Sequence, residues 1–196
     1  VLALGVFWKA WTSDNPILLD LTFNWLPIDP TSSLQGGIMV DHLTAVMLVV
    51  VTLVSFLVHL FSTKYMEGDI RYGRYYSSLL LFTTSMLGLV LANNLLYLYM
   101  FWELVGLSSY LLIGHWYEKK SASDAAIKAF ITTRLGDVGM FIGLMICYFQ
   151  VGSLHYADLF AAVESGTLAG TWQTIAGLGL FFGAMGKSAQ FPLHVW

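Results

Sequence analysis

From residue 75 to residue 117 the chain carries one formal charge, Glu103. A membrane-spanning helix needs about 20 mostly apolar residues, so this stretch is too long for one crossing. Asn93 and Asn94 mark a tight turn in its middle, which gives helices near 75–92 and 95–116. From His42 to Phe61 there is no charge at all, and Leu, Val and Met dominate; this is a helix over about 42–62. Asp124 can cap a further helix over about 124–149, which contains Arg134 and Asp137. A last apolar stretch, about 171–196, contains Lys187. Residues 1–11 read as a partial helix.

Composition agrees. The 196 residues are 57% hydrophobic and 11% charged, whereas soluble domains carry about 25% charged residues. The class is an all-α polytopic membrane protein, a helix bundle, in a single membrane domain over 1–196. A net charge of −3 leaves no footprint for nucleic acid. One cysteine, Cys147, excludes a disulfide framework and a cysteine metal cluster. Residues 1–11 lack the basic start and small-residue cleavage site of a signal peptide. The absence of an initial Met, and a helical pattern still running at Trp196, point to a piece of a longer chain.

Residues 12–41 hold Pro16, Pro27, Pro30 and Gly36-Gly37 between short apolar runs, which fits an ordered outer loop of β-hairpin type. Lysine and arginine set the topology. Loops 12–41 and 150–171 contain none, nor does the turn at 93–94. Lys64, Arg71 and Arg74 occupy the loop at 62–74; Lys119 and Lys120, with Lys128 just beyond, follow at 117–124. Basic and non-basic loops thus alternate as the positive-inside rule requires.

Four charges then lie deep: Glu103, Arg134, Asp137 and Lys187. At 1.5 Å per residue Glu103 is about 12 Å from the outer end of its helix, and Arg134 and Asp137 about 14 and 18 Å from the inner end of theirs. Each costs about 2.5–3.5 kcal/mol at the bilayer centre, roughly 10 kcal/mol together if they faced lipid singly. They must therefore pair, face the bundle interior or line water. Arg134 and Asp137, spaced i and i+3, suit a supporting ion pair. Glu103 and Lys187 have no opposite charge a turn away, and such ionisable groups mark ion paths. Gly106 and Tyr110 share the face of Glu103 and leave room for a partner. Lys187 follows Gly177, Gly179, Gly183 and Gly186. Gly179 and Gly183 form a small-xxx-small packing face, and Pro192 beyond Lys187 predicts a helix break. His194 could extend a proton path. His59, His115 and His155 fall near interfaces, where a structural role is expected, and His42 opens a helix. Gly136-Asp137 resembles half of an intramembrane aspartyl protease site, but that chemistry needs a second aspartate sharing a proton. No phosphate-binding loop, nucleophile elbow or metal-ligand spacing occurs.

The stretches "FWELVGLSSYLLIGHW" (101–116), "KAFITTRLGDVGMFIG" (128–143) and "GKSAQFPLHVW" (186–196) resemble the largest antiporter-like membrane subunit of respiratory complex I, proton-translocating NADH–quinone oxidoreductase: subunit L in bacteria, chain 5 in mitochondria and plastids. Thr133 departs from the pattern, where many relatives have Asn. The resemblance implies an inverted-repeat antiporter-like fold with Lys187 on a discontinuous helix. It implies that Glu103 and Lys187 form the intramembrane proton-transfer pair of the first half-channel, with Arg134 and Asp137 beside it. It implies no catalytic redox residue, bound cofactor or metal in this chain; NADH, FMN, iron–sulfur clusters and quinone belong to partner subunits of a hetero-oligomer. The membrane is then a bacterial inner membrane, or a mitochondrial inner or plastid thylakoid membrane. A multi-subunit sodium/proton antiporter and a non-transporting scaffold are the alternatives.

Overall fold

A computed structural model describes residues 1–27 and 33–196; Pro30, one of the prolines expected in the outer loop, lies outside the described residues. The elements run α1 (Leu2–Trp11), β1 (Ile17–Pro27), β2 (Ser33–Asp41), α2 (His42–Tyr65), α3 (Tyr72–Leu91), α4 (Leu95–Ile113), α5 (Lys120–Val151), α6 (Tyr156–Glu164) and α7 (Gly170–Lys187). Among the described helices α2, α4 and α5 are long and apolar enough to cross a membrane. α3, which contains Arg74, and α7, which contains Gln173 and Lys187, fall outside that set. The chain forms two compact units, one of Val1–Asn93 with Met100–Ser108, the other of Asn94–Tyr99 with Ser109–Trp196.

In the first unit β1 and β2 pair antiparallel, with Leu19 opposite Val40, Leu21 opposite Ile38 and Phe23 opposite Gly36. Side chains alternate across a strand. Asp20 and Thr22 therefore share one face, and both accept hydrogen bonds at 2.9 Å from Nδ2 of Asn93, which is fully buried. The opposite parity, Leu19, Leu21, Phe23 and Trp25, is exposed. Gly37 lies so close to the Asn93 amide that a Cβ there would collide with it. Asn93 is thus more than a turn residue: it ties the hairpin to the end of α3, and Ile38 forms a bridge with Ala92 beside it. Asp41 caps α2 by accepting from Thr44 N at 2.7 Å. Along α2 the side chains of Leu53, Val54, Phe56, Leu57, Leu60 and Phe61 are exposed, as expected of a surface solvated by lipid. The Phe101 ring of α4 packs on Gly88 of α3, where a Cβ would overlap it.

In the second unit Asn94 caps α4, accepting from Tyr97 N at 2.8 Å. Leu95, Leu144, Cys147, Leu159, Ala162, Leu168 and Ala176 form its buried apolar cluster. Burial against this cluster pushes the Tyr156 phenol upward, so it stays protonated at neutral pH. The cluster includes α6, a short helix inside the segment expected as the loop 150–171; nine residues are too few to stand out by apolar periodicity. His155 caps α6 through Nδ1, which accepts from Ala157 N.

Two boundaries differ from expectation. α5 begins at Lys120, ahead of 124, and Asp124 caps nothing; the first helical turn is built from charged and small residues that carry no apolar signal. Gly152, at φ +78°, closes α5 in the left-handed region that glycine adopts without strain. α7 ends at Lys187, well short of 196. There Gln190 N donates to Met185 O at 3.0 Å and Ala189 N to Gly186 O at 3.4 Å, with Ala189 at φ +50°. This is the paired-bond stop of a Schellman motif. Trp196 Nε1 donates to the same Gly186 O at 3.0 Å, so this carbonyl at the end of the helix accepts twice.

Replacing Asn93 with Ala leaves Asp20 and Thr22 short of a buried donor, so the expected loss is about 1–3 kcal/mol. Limited proteolysis should show the hairpin cut earlier in that variant than in the native protein.

Candidate functional site

Helices α5 and α7 meet along glycine. A Cβ on Gly143 would lie 2.7 Å from Ala176 O, one on Gly179 2.7 Å from Gly139 O, and one on Gly136 2.8 Å from Phe182 O. Real Cβ atoms do not tolerate such distances, so these positions let the two backbones touch. Gly179 and Gly183, expected from sequence as a packing face, are joined here by Gly136, Gly139 and Gly143 on α5. The second stripe was open to reading in the sequence, since its members recur at i, i+3 and i+7.

This contact carries the charges. Asp137, next to Gly136, is completely buried. Its Oδ2 lies 3.6 Å from Nζ of Lys187 and 3.8 Å from Nη1 of Arg134. Lys187 is mostly covered and Arg134 about one-third exposed. The Arg134 guanidinium also sits 4.6 Å from the Phe130 ring centroid, a favourable cation–π arrangement. Lys187 occupies the last position of α7, where the negative end of the helix dipole favours a cation.

The expected Arg134–Asp137 pair is therefore present, and Lys187 joins it from another helix. Both separations exceed the 2.7–2.9 Å of a tight charge-assisted hydrogen bond. Glu103 lies on α4, in the part belonging to the first unit, and is partly buried. His194 is exposed beyond α7 and stacks on Phe191 at 5.6 Å between centroids. Among the described residues no group of three or more His, Cys, Asp or Glu side chains is placed to hold a metal ion.

Apolar helices whose charges gather in a helix–helix contact define a polytopic membrane protein. Residues 92–196 match the family model described as NADH:quinone oxidoreductase/Mrp antiporter, TM, and residues 25–76 the model for the N-terminus of NADH-Ubiquinone oxidoreductase (complex I), chain 5. The chain belongs to this family of membrane subunits. It is 48% identical over 167 residues to NAD(P)H-quinone oxidoreductase chain 5 of Synechocystis sp., covering 83% of this chain and 24% of that protein. It is 45% identical over 203 residues to the chloroplastic subunit 5 of Nephroselmis olivacea, covering all of this chain and 30% of that protein. The chain thus spans about a quarter of the length of the curated relatives it matches. Two solved structures share its fold across the whole chain, each with a TM-score of 0.82: an archaeal membrane-bound sulfane sulfur reductase complex at 23% identity, of whose chain 38% is covered, and the Mrp complex of Dietzia sp. at 24%, of whose chain 21% is covered.

The two ends of the ion pair should differ in stability. Asp137→Asn leaves two cations facing each other in a buried site, a loss of a few kcal/mol, up to about 3–5. Lys187→Met leaves the Arg134–Asp137 pair and should cost less. Thermal denaturation of the two variants in one detergent checks that order.

Proposed function

We propose that this chain supplies the first proton-transfer half-channel of a complex I–type membrane arm, with Glu103 and Lys187 as the groups that exchange the proton. The observation that carries this reading is the completely buried Asp137 carboxylate, whose Oδ2 lies 3.6 Å from Lys187 and 3.8 Å from Arg134. One carboxylate faces two cations. With Lys187 protonated the trio carries one positive charge; with Lys187 neutral it carries none. Loss of the Lys187 proton leaves a balanced Arg134–Asp137 pair, so both states of the amine have a satisfied neighbour. Glu103 is the remaining deeply embedded acid in the sequence, and it is the natural acceptor or donor for that proton.

In this reading Asp137 holds Lys187 and Arg134 competes for it. A change that draws Asp137 toward Arg134 frees the amine to give up its proton, and the reverse recaptures it. Quinone reduction in partner subunits drives the cycle, and NADH, FMN and iron–sulfur clusters belong to those partners. High identity to cyanobacterial and chloroplastic NAD(P)H-quinone oxidoreductase subunits supports this redox-driven reading over a sodium/proton antiporter.

The test is Lys187→Met in the complete complex. Assembly should persist while the ratio of protons moved to electrons transferred falls. An assembled Lys187→Met complex with an unaltered ratio overturns the proposal.

A further inference from the structure

The Arg134 guanidinium stands between two attractions that lie in opposite directions along α5. One turn toward the start of the helix is Phe130, whose ring centroid is 4.6 Å from Cζ of Arg134. One turn toward its end is Asp137, whose Oδ2 is 3.8 Å from Nη1. Long side chains on a helix lean back toward its N-terminus, onto the residues three and four positions earlier. The backbone thus delivers Arg134 to the ring, and to close on the carboxylate the side chain must lean the other way. This accounts for a separation from Asp137 longer than a tight charge-assisted bond.

The ring is itself held in place. Tyr110 of α4, in the same compact unit, packs on Phe130 at 5.4 Å between centroids, with the two planes 58° apart. Tilted aromatic pairs of this kind add to the packing of both rings. Phe130 is half-buried and Arg134 mostly covered, and a cation is drawn to a ring face more strongly where water is excluded. A guanidinium drawn to the ring takes less of the Asp137 carboxylate. The other claimant is Lys187, whose Nζ lies 3.6 Å from the same Oδ2. The strength of the ring contact therefore enters the balance between two cations and one acid.

We propose that Phe130 is a positioning residue of this cluster: its ring holds the Arg134 guanidinium back and leaves Asp137 shared with Lys187. The proposal rests on the half-channel reading of the cluster. Phe130 moves no proton itself and acts through Arg134. Without the pull of the ring, Arg134 closes on Asp137, the carboxylate is committed to the guanidinium, and recapture of the Lys187 amine is impaired.

The test is graded. Phenylalanine carrying one, two or three ring fluorines is placed at position 130 of the complete complex. Fluorine drains electron density from the ring face and weakens its hold on a cation in steps, while the ring keeps its shape and its seat beside Tyr110. The quantity followed is the part of the proton-to-electron ratio that Lys187→Met removes. It should fall with each fluorine, to about one-half to one-fifth when the cation–π attraction is lost. In an Arg134→Met background the series should be flat, because the ring has no cation to hold. A flat series beside native Arg134, or an equal decline in the Arg134→Met background, overturns the role of Phe130; if Arg134→Met fails to assemble, the native series decides. The two readings fail in different ways. An unaltered ratio in Lys187→Met removes the half-channel and this role with it, whereas a reduced ratio in Lys187→Met with a flat fluorine series removes only the role of Phe130.

Discussion

The close approach of α5 and α7 is the interaction on which the charged site depends. Glycine on both helices removes the side chains that would hold the backbones apart. The gain is dispersion between backbones, the main attraction available to helices in lipid, where apolar side chains have no hydrophobic reason to associate. The same contact sets Asp137 of one helix against Lys187 of the other. The packing and the electrostatics are therefore one feature: moving either helix outward by the width of a methyl group would separate the carboxylate from the amine.

A second economy appears where the chain passes from α3 to α4. Asn93 and Asn94 are adjacent and do unlike things. Asn93 turns its amide onto Asp20 and Thr22 of the hairpin, while Asn94 caps α4. Each satisfies polar groups that would otherwise be left open at a helix end or a strand face. Two short side chains thereby order the hairpin and start the helix that carries Glu103.

Much of this was legible in the chain. Charge-free runs gave the apolar helices, because backbone in lipid must bond to itself. Proline and glycine density between 12 and 41 gave the hairpin. Pro192 signalled the break near Lys187, although the helix stops earlier than the apolar pattern suggests, because Ala189 turns into the left-handed region and Trp196 folds back onto Gly186. The start of α5 and the whole of α6 escaped, since charged first turns and short helices carry little periodic signal. The spacing of Arg134 and Asp137 showed their pairing directly, as neighbours on one helix face.

What the sequence determined by itself was the inventory: which segments are soluble in hydrocarbon, how many charges must be hidden among them, and which of those can pair along one helix. Only the tertiary structure decided that Lys187 reaches Asp137. The two lie on different helices with α6 between them in the chain. Their meeting depends on how two glycine faces fit together, and that is a property of surfaces in space which linear spacing does not encode.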